Sequence, residues 1–505
     1  MENSRKVEAN SRAKVDLFGN RVRFVVLILL LVCLASLWSN VLTFNIAVLC
    51  MHPHRYLNGS ITSLELKLAQ ESDDKHDFDD PHVIGLFQKR IIWYTPGDKS
   101  LLIAAVAIGA LIGNFPIVWL IGHYGIRMTF GILGIISAIS TLMIPAAARL
   151  GLMCFLAIRV LNGITFAANF SVVGSFTNKW TYYKQNGLFV SALVAHFQLA
   201  PALTMPVGGF LCTEYGWPSV YYCHGAISLI LFSLFIGAYR NSPDKHPFVS
   251  DNERNKIALG KDFVTKSEQR QVPYLKILKS TEVWAIWIAA FGNSLCSNLM
   301  FLYSPTYLHT VVDFEVEHTG INAAFPPLLQ FIIKIATGFA SDKLRFIHES
   351  TKLKIFNSIA FFGSAASLIA LGLMNPEYKL ICVSLLALSI GFLGFATGGF
   401  YKSGPLIARH YAGFVTGNLS LAVTLTMLLV PLLVSYVAPD NSPEQWRQVF
   451  SICAAVLIIT NIIFVIFGSA KLSSWAISQS AMQSQMNSTR YTNRNSSNDK
   501  GDNDK

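Results

Sequence analysis

Apolar runs of about 20 residues or more, the length a helix needs to cross the hydrocarbon of a bilayer, recur all along this chain. They lie near 24–51, 100–120, 128–148, 152–173, 187–212, 219–239, 283–308, 319–341, 354–374, 378–401, 412–437 and 446–470. A water-soluble domain has no way to bury so many. Composition agrees: charged residues make up 14% of the 505, against about 25% in ordinary soluble chains. The spacing predicts an all-α polytopic membrane protein with 12 transmembrane helices in two pseudo-symmetric six-helix bundles. The expected division is a tail over 1–23, a first bundle over 24–239 holding a long loop at 52–99, a joining loop over 240–282, a second bundle over 283–470 and a polar tail over 471–505. The first tail precedes an apolar run too long for a cleaved signal and should stay attached. The second is too poor in large apolar residues to order itself.

The net charge of +11 matters through its placement, because Lys and Arg stay on the cytosolic side of a membrane. It does not point to nucleic acid. With the N-terminus inside, the loops assigned to the cytosol hold Arg127, Lys179, Lys184, the cations between Arg240 and Lys279, and Lys343, Arg345, Lys352 and Lys354. The opposite loops hold Glu214, Asp313, Glu315, Glu317, Asp440 and Glu444. Both termini should face the cytosol. The loop 52–99 should then be exofacial or lumenal, where the sequon Asn58-Gly59-Ser60 can be glycosylated at Asn58. The plasma membrane and an endolysosomal or vesicular membrane both fit. No feature demands an oligomer, and a monomer is expected.

Enzyme signals are absent: there is no Walker phosphate loop, no H-E-x-x-H and no nucleophile grouping beyond chance. No cofactor and no metal are expected, although Na+ or H+ could serve as a coupling ion. The eight cysteines, Cys33, Cys50, Cys154, Cys212, Cys223, Cys296, Cys382 and Cys453, show no paired spacing. They read as small apolar residues. Ser250 and Glu253 fit a capping box that starts a helix in the joining loop.

The turn after the second helix of the second half reads Gly338-Phe339-Ala340-Ser341-Asp342-Lys343. It is similar to the G-x-L-A-D-R motif of the major facilitator superfamily, in which the glycine allows close helix approach and the Asp caps or pairs across the turn. The first-half counterpart is degraded, with Gly125 and Arg127 at the end of the motif. Further segments resemble the anion-transporting branch of that superfamily, which includes sodium–phosphate cotransporters, sialin and vesicular glutamate transporters. These are Arg159-Val160-Leu161-Asn162-Gly163, Lys179-Trp180, Gly216-Trp217 with Val220-Tyr221-Tyr222, His246-Pro247 with Ser250 and Glu253, Ser304-Pro305 with Tyr307, and Tyr411-Ala412-Gly413. The resemblance implies transport of a small anion by alternating access between two bundles. It also has gaps. Phe166 stands where the branch places a helix-4 Glu, Asn293 where the glutamate transporters have a helix-7 Arg, and Val41 where they have a helix-1 Arg. The usual proton-coupling carboxylate is missing and glutamate specificity is not supported.

An ionisable residue inside a span costs a few kcal/mol and is a functional candidate by default. Arg159 can hold a carboxylate or phosphate bidentately; otherwise it is a structural arginine bonded to helix carbonyls. Lys334, within Phe331-Ile332-Ile333-Lys334-Ile335, can add a second positive charge, or its stem can snorkel to the cytosolic surface. His196 and His224 are the histidines within spans and the candidates for carrying a proton. Asn45, Asn293 and Tyr307 complete the list of candidate substrate contacts. The reading is a secondary active or facilitative transporter of small anions. Its rivals are a non-transporting receptor or scaffold with the same fold, and a uniporter for a neutral solute.

Overall fold

A computed structural model describes residues 21–51, 94–182, 185–258, 273–344, 346–408 and 411–476. Within them, twelve helices are long and apolar enough to cross a membrane. In chain order they are α1 Val22–Ala47, α2 Pro96–Tyr124, α3 Ile126–Leu150, α4 Leu152–Thr177, α5 Leu188–Tyr215 and α6 Trp217–Ala238, then α7 Thr281–Thr310, α8 Val316–Ser341, α9 Glu349–Leu373, α10 Lys379–Ala408, α11 Phe414–Val437 and α12 Pro443–Phe467. Boundaries differ from the apolar runs where capping chemistry overrides hydropathy. Thr95 and Asp98 form a reciprocal capping box that starts α2 before its apolar run begins, and Ser442 with Gln445 does the same for α12.

Each bundle is held by polar bonds between helices, which tie surfaces that apolar lipid cannot drive together. In the first, Asn40 of α1 donates to Ser137 of α3 and accepts from Ser228 of α6. In the second, Asn357 of α9 donates to Asn461 of α12 at 2.8 Å, and Asn298 of α7 donates to the Val423 carbonyl of α11. Aromatic clusters fill the rest, with Phe130 edge-on to Phe232 and Phe235 in the first bundle.

One end of the molecule carries a disulfide between Cys50, just past α1, and Cys212 near the end of α5. This corrects the expectation that every cysteine is a lone apolar residue. The partners lie 162 positions apart, so spacing could not pair them; two helices of the bundle ending side by side do. At this disulfide end the halves touch. Asn45 of α1 donates to the Phe301 carbonyl of α7, Ser100 of α2 meets Tyr303 of α7 at 3.3 Å, and Gly320 of α8 lies against Met205 and Gly209 of α5.

The opposite end carries the short helix Asp251–Ala258. The Glu253 backbone N–H donates to Ser250 Oγ, as the sequence suggests. Its carboxylate also reaches across the chain. It accepts the N–H groups of Val22 and Arg23 at 3.2 and 3.1 Å, capping the start of α1, where a negative charge is favoured. Beside it Trp180 donates to the Arg240 carbonyl and stands edge-on to His246 at 5.6 Å. Burial, reinforced by the Arg240 charge, holds the His246 imidazole below its ordinary pKa.

Candidate functional site

Four spans are interrupted along their length. α4 breaks at Ala167, α5 at Ala195, α10 passes through a 3-10 stretch over Gly394–Gly398, and α11 breaks at Asn418. Broken helices are tolerated within a membrane where they line a cavity or are covered by protein. Polar side chains follow three of these breaks at once: Asn169 on α4, His196 on α5 and Tyr401 on α10.

Tyr401 meets residues of α7 and α8 between the halves, and Asn169 pairs with His196, two positions before Gln198 on α5. Lys334 Nζ donates to Gln198 Oε1 at 3.3 Å and lies 5.8 Å above the Tyr401 ring. Gln198 Nε2 donates to Gln330 Oε1 at 2.8 Å. Asn293 Nδ2 donates to the Tyr401 hydroxyl at 3.4 Å. His196 Nδ1 donates to the Leu193 carbonyl, which leaves Nε2 to accept from Asn169 Nδ2 at 3.4 Å. The Oδ1 atoms of Asn169 and Asn293 are buried without a partner. Lys334 is partly exposed, and among the described residues no carboxylate forms an ion pair with it. The cluster is thus one fixed cation ringed by neutral donors and acceptors.

Of the residues singled out by sequence, Lys334, Asn293 and His196 meet here; the others are elsewhere. Arg159 is fully buried within the first bundle. Its Nε donates to the Leu102 carbonyl of α2 and its Nη1 to the Val41 carbonyl of α1, with the guanidinium 5.0 Å over Phe44. These two bonds match the structural alternative, while Nη2 is buried with no partner and leaves a donor open to an anion. Arg159→Lys, which cannot span both carbonyls, is expected to lower the melting temperature of the purified protein while leaving the KM of remaining transport unchanged. A raised KM at unchanged melting temperature would return Arg159 to the substrate site. Asn45 belongs to the closure at the disulfide end. Tyr307 packs against Trp446 and Phe450 inside the second bundle. His224 donates from Nδ1 to Val220 of its own helix and joins no part of the cluster among the described contacts. Phe166, at the position of the missing Glu, lies 4.9 Å from Trp38 and beside Phe197, so apolar rings fill that place.

The two turn motifs also differ from expectation. Gly125 has a positive φ of 79°, and a Cβ there would strike the Asn241 amide at 2.4 Å. Asn241 accepts the Arg127 N–H, and Arg127 Nε donates to the Ile236 carbonyl, which anchors the degraded turn to the end of α6. At Gly338 a Cβ would meet nothing within 4 Å, so close helix approach is not what the glycine provides here. Lys343 is exposed. The Asp342 side chain and Asn58 lie outside the described residues. Gln198, Gln330 and Tyr401 escaped the sequence reading, because a Gln or Tyr in a span is ordinarily interhelical glue.

A sequence profile of the Major Facilitator Superfamily matches residues 55–401. Sialin of Homo sapiens is 29% identical over 384 residues, covering 75% of this chain and 77% of that one. Vesicular glutamate transporter 2 of Bos taurus is 27% identical over 404 residues, covering 79% and 66%. A probable small intestine urate exporter of Mus musculus is 24% identical over 448 residues, covering 88% and 90%. Among solved structures, a bacterial homolog of the human lysosomal transporter Spinster, inward-facing and unoccupied, superposes with a TM-score of 0.64 at 14% identity over 90% of this chain and 99% of that one. The D-xylose–proton symporter superposes with a TM-score of 0.60 at 13% identity over 89% and 99%. The chain belongs to the Major Facilitator Superfamily, as a multi-pass membrane transporter that works by alternating access and not an enzyme.

Proposed function

We propose that the chain carries a small organic or inorganic anion, with the anionic group held at Lys334. The observation that carries this is the ammonium of half-buried Lys334 between the halves, whose neighbours Gln198, Tyr401 and, further out, Asn293 and Gln330 are all neutral. A cation inside a membrane protein needs a counter-charge, and a substrate can bring one. The printed names of two relatives, a glutamate transporter and a urate exporter, refer to solutes that are anionic near neutral pH. The neutral amides and the Tyr401 hydroxyl suit the uncharged polar part of such a solute.

His196 is the better of the two histidines for proton coupling. Protonation at Nε2 displaces the Asn169 N–H and turns the amide so that Oδ1, now without a partner, accepts instead. A second cation near Lys334 is tolerated when an anion lies between them, so proton and anion would enter together. The test is uptake of phosphate, sialic acid, glutamate and urate into proteoliposomes under imposed sodium, pH and voltage gradients. Saturable uptake driven by a pH gradient supports the reading. Folded protein that moves none of these anions under any gradient would overturn the anion reading for these four solutes and point to a different one.

We place the disulfide end on the exofacial or lumenal side. Disulfides persist in oxidising compartments, and the opposite end carries Arg21, Arg23, Arg127, Arg240 and Lys245, as the positive-inside rule requires. The side chains of Cys50 and Cys212 should resist a thiol-reactive polyethylene glycol maleimide in denatured protein until a reductant is added. Labelling of both without reductant would remove the bond, and reduction by an impermeant reagent only from the cytosolic face would invert the orientation.

A further inference from the structure

Gln198 of the first bundle reaches α8 of the second, and it is held at both ends of its amide. Oε1 accepts from Lys334 and Nε2 donates to Gln330. Those two partners are four residues apart on α8, stacked one turn above the other. Gln198 and Gln330 are 3% and 2% exposed, so water does not compete for these bonds. A neutral amide oxygen is a weaker acceptor for an ammonium than a carboxylate or phosphate oxygen.

We infer that Gln198 is a placeholder for the substrate's anionic group: its Oε1 takes the acceptor position on Lys334 between transport events, and the arriving anion displaces it. The consequence is mechanical as well as chemical. The amide that leaves Lys334 is the one that donates to Gln330, so the exchange also loosens the bond that ties α5 to α8 in the middle of the interface. An anion that binds Lys334 therefore interacts differently with the joined and the parted halves, which is what a ligand must do to shift a conformational equilibrium. This rests on the reading of Lys334 as the anion site. Gln198 is a positioning residue for binding rather than a permanent ligand of the solute.

The experiment measures concentration-dependent uptake in proteoliposomes, using whichever of phosphate, sialic acid, glutamate and urate the unaltered protein carries. Gln198→Ala removes the competitor, and its KM is expected to fall about tenfold, equivalent to about 1.4 kcal/mol. Gln198→Glu puts a tethered carboxylate on Lys334 and is expected to lose uptake while remaining monodisperse and melting no earlier than the parent. A KM for Gln198→Ala that stays the same or rises overturns the inference, a rise meaning that Gln198 binds the solute directly. If Gln198→Glu does not fold, the Gln198→Ala measurement still decides. Lys334→Gln in the same assay separates the two ideas, because full uptake there overturns the anion site itself whatever the Gln198 variants do.

Discussion

Lys334→Gln is expected to abolish measurable anion uptake without harming the fold. The substitution keeps the approximate length and the donor to Gln198 but removes the one charge in the cluster. A hydrogen bond to a charged group is worth about 1.5–3 kcal/mol, so losing it from the bound state weakens uptake about 10- to 150-fold. Lys334→Arg should keep part of the activity, because the charge remains while the planar fork must find new room against Tyr401. The comparison is made at equal amounts of folded protein, judged by gel filtration and thermal melting. Wild-type uptake by Lys334→Gln would remove the site.

Gly320→Ala attacks the cycle from the other end. A Cβ on Gly320 would come within 2.4 Å of the Met205 carbonyl, and the Cα of Gly209 stands at 3.2 Å. Neither obstacle is a flexible side chain, so α5 and α8 must separate where the halves meet. Overpacking of this kind costs about 1–3 kcal/mol, enough to shift an equilibrium between closed and open forms about 5- to 150-fold. The disulfide end should then rest open and uptake should fall at least tenfold, by trapping rather than by lost binding. Ser304, buried in the crevice beside Met205 and Met300, is the reporter. Ser304→Cys should react with an impermeant maleimide faster in the Gly320→Ala background than in the parent. Equal labelling together with normal uptake would mean that the contact does not limit closure.

The twelve spans were legible in the sequence because bilayer thickness imposes a length on every one of them. The site was legible only in part. Lys334, His196 and Asn293 stood out because each interrupts an apolar run, and the structure gathers them. Arg159 stood out for the same reason, yet carbonyls of α1 and α2 take donors of its Nε and Nη1, an arrangement set by helix neighbours that no local pattern records. Gln198, Gln330 and Tyr401 carry no charge and gain their meaning only from lying across from Lys334. Glu253 read correctly as a helix-start residue, but the helix whose start its carboxylate caps is α1, 230 positions away. The pairing of Cys50 with Cys212 was hidden for the same reason of distance.

The grip of Glu253 on the start of α1 changes what the joining loop can do. Covalently, that loop runs from one half to the other; physically, its first part is a fixture of the first half, bonded through Val22 and Arg23. The leash between the halves therefore begins only after Ala258 and ends at Tyr274, where the next helix starts. Sixteen steps of chain reach at most about 55 Å, longer than the membrane is thick. By length alone such a segment can span the separation of the halves. Limits on the swing that the described residues do offer are groups that meet and part, at Gly320 near one surface and at Gln198 between the halves.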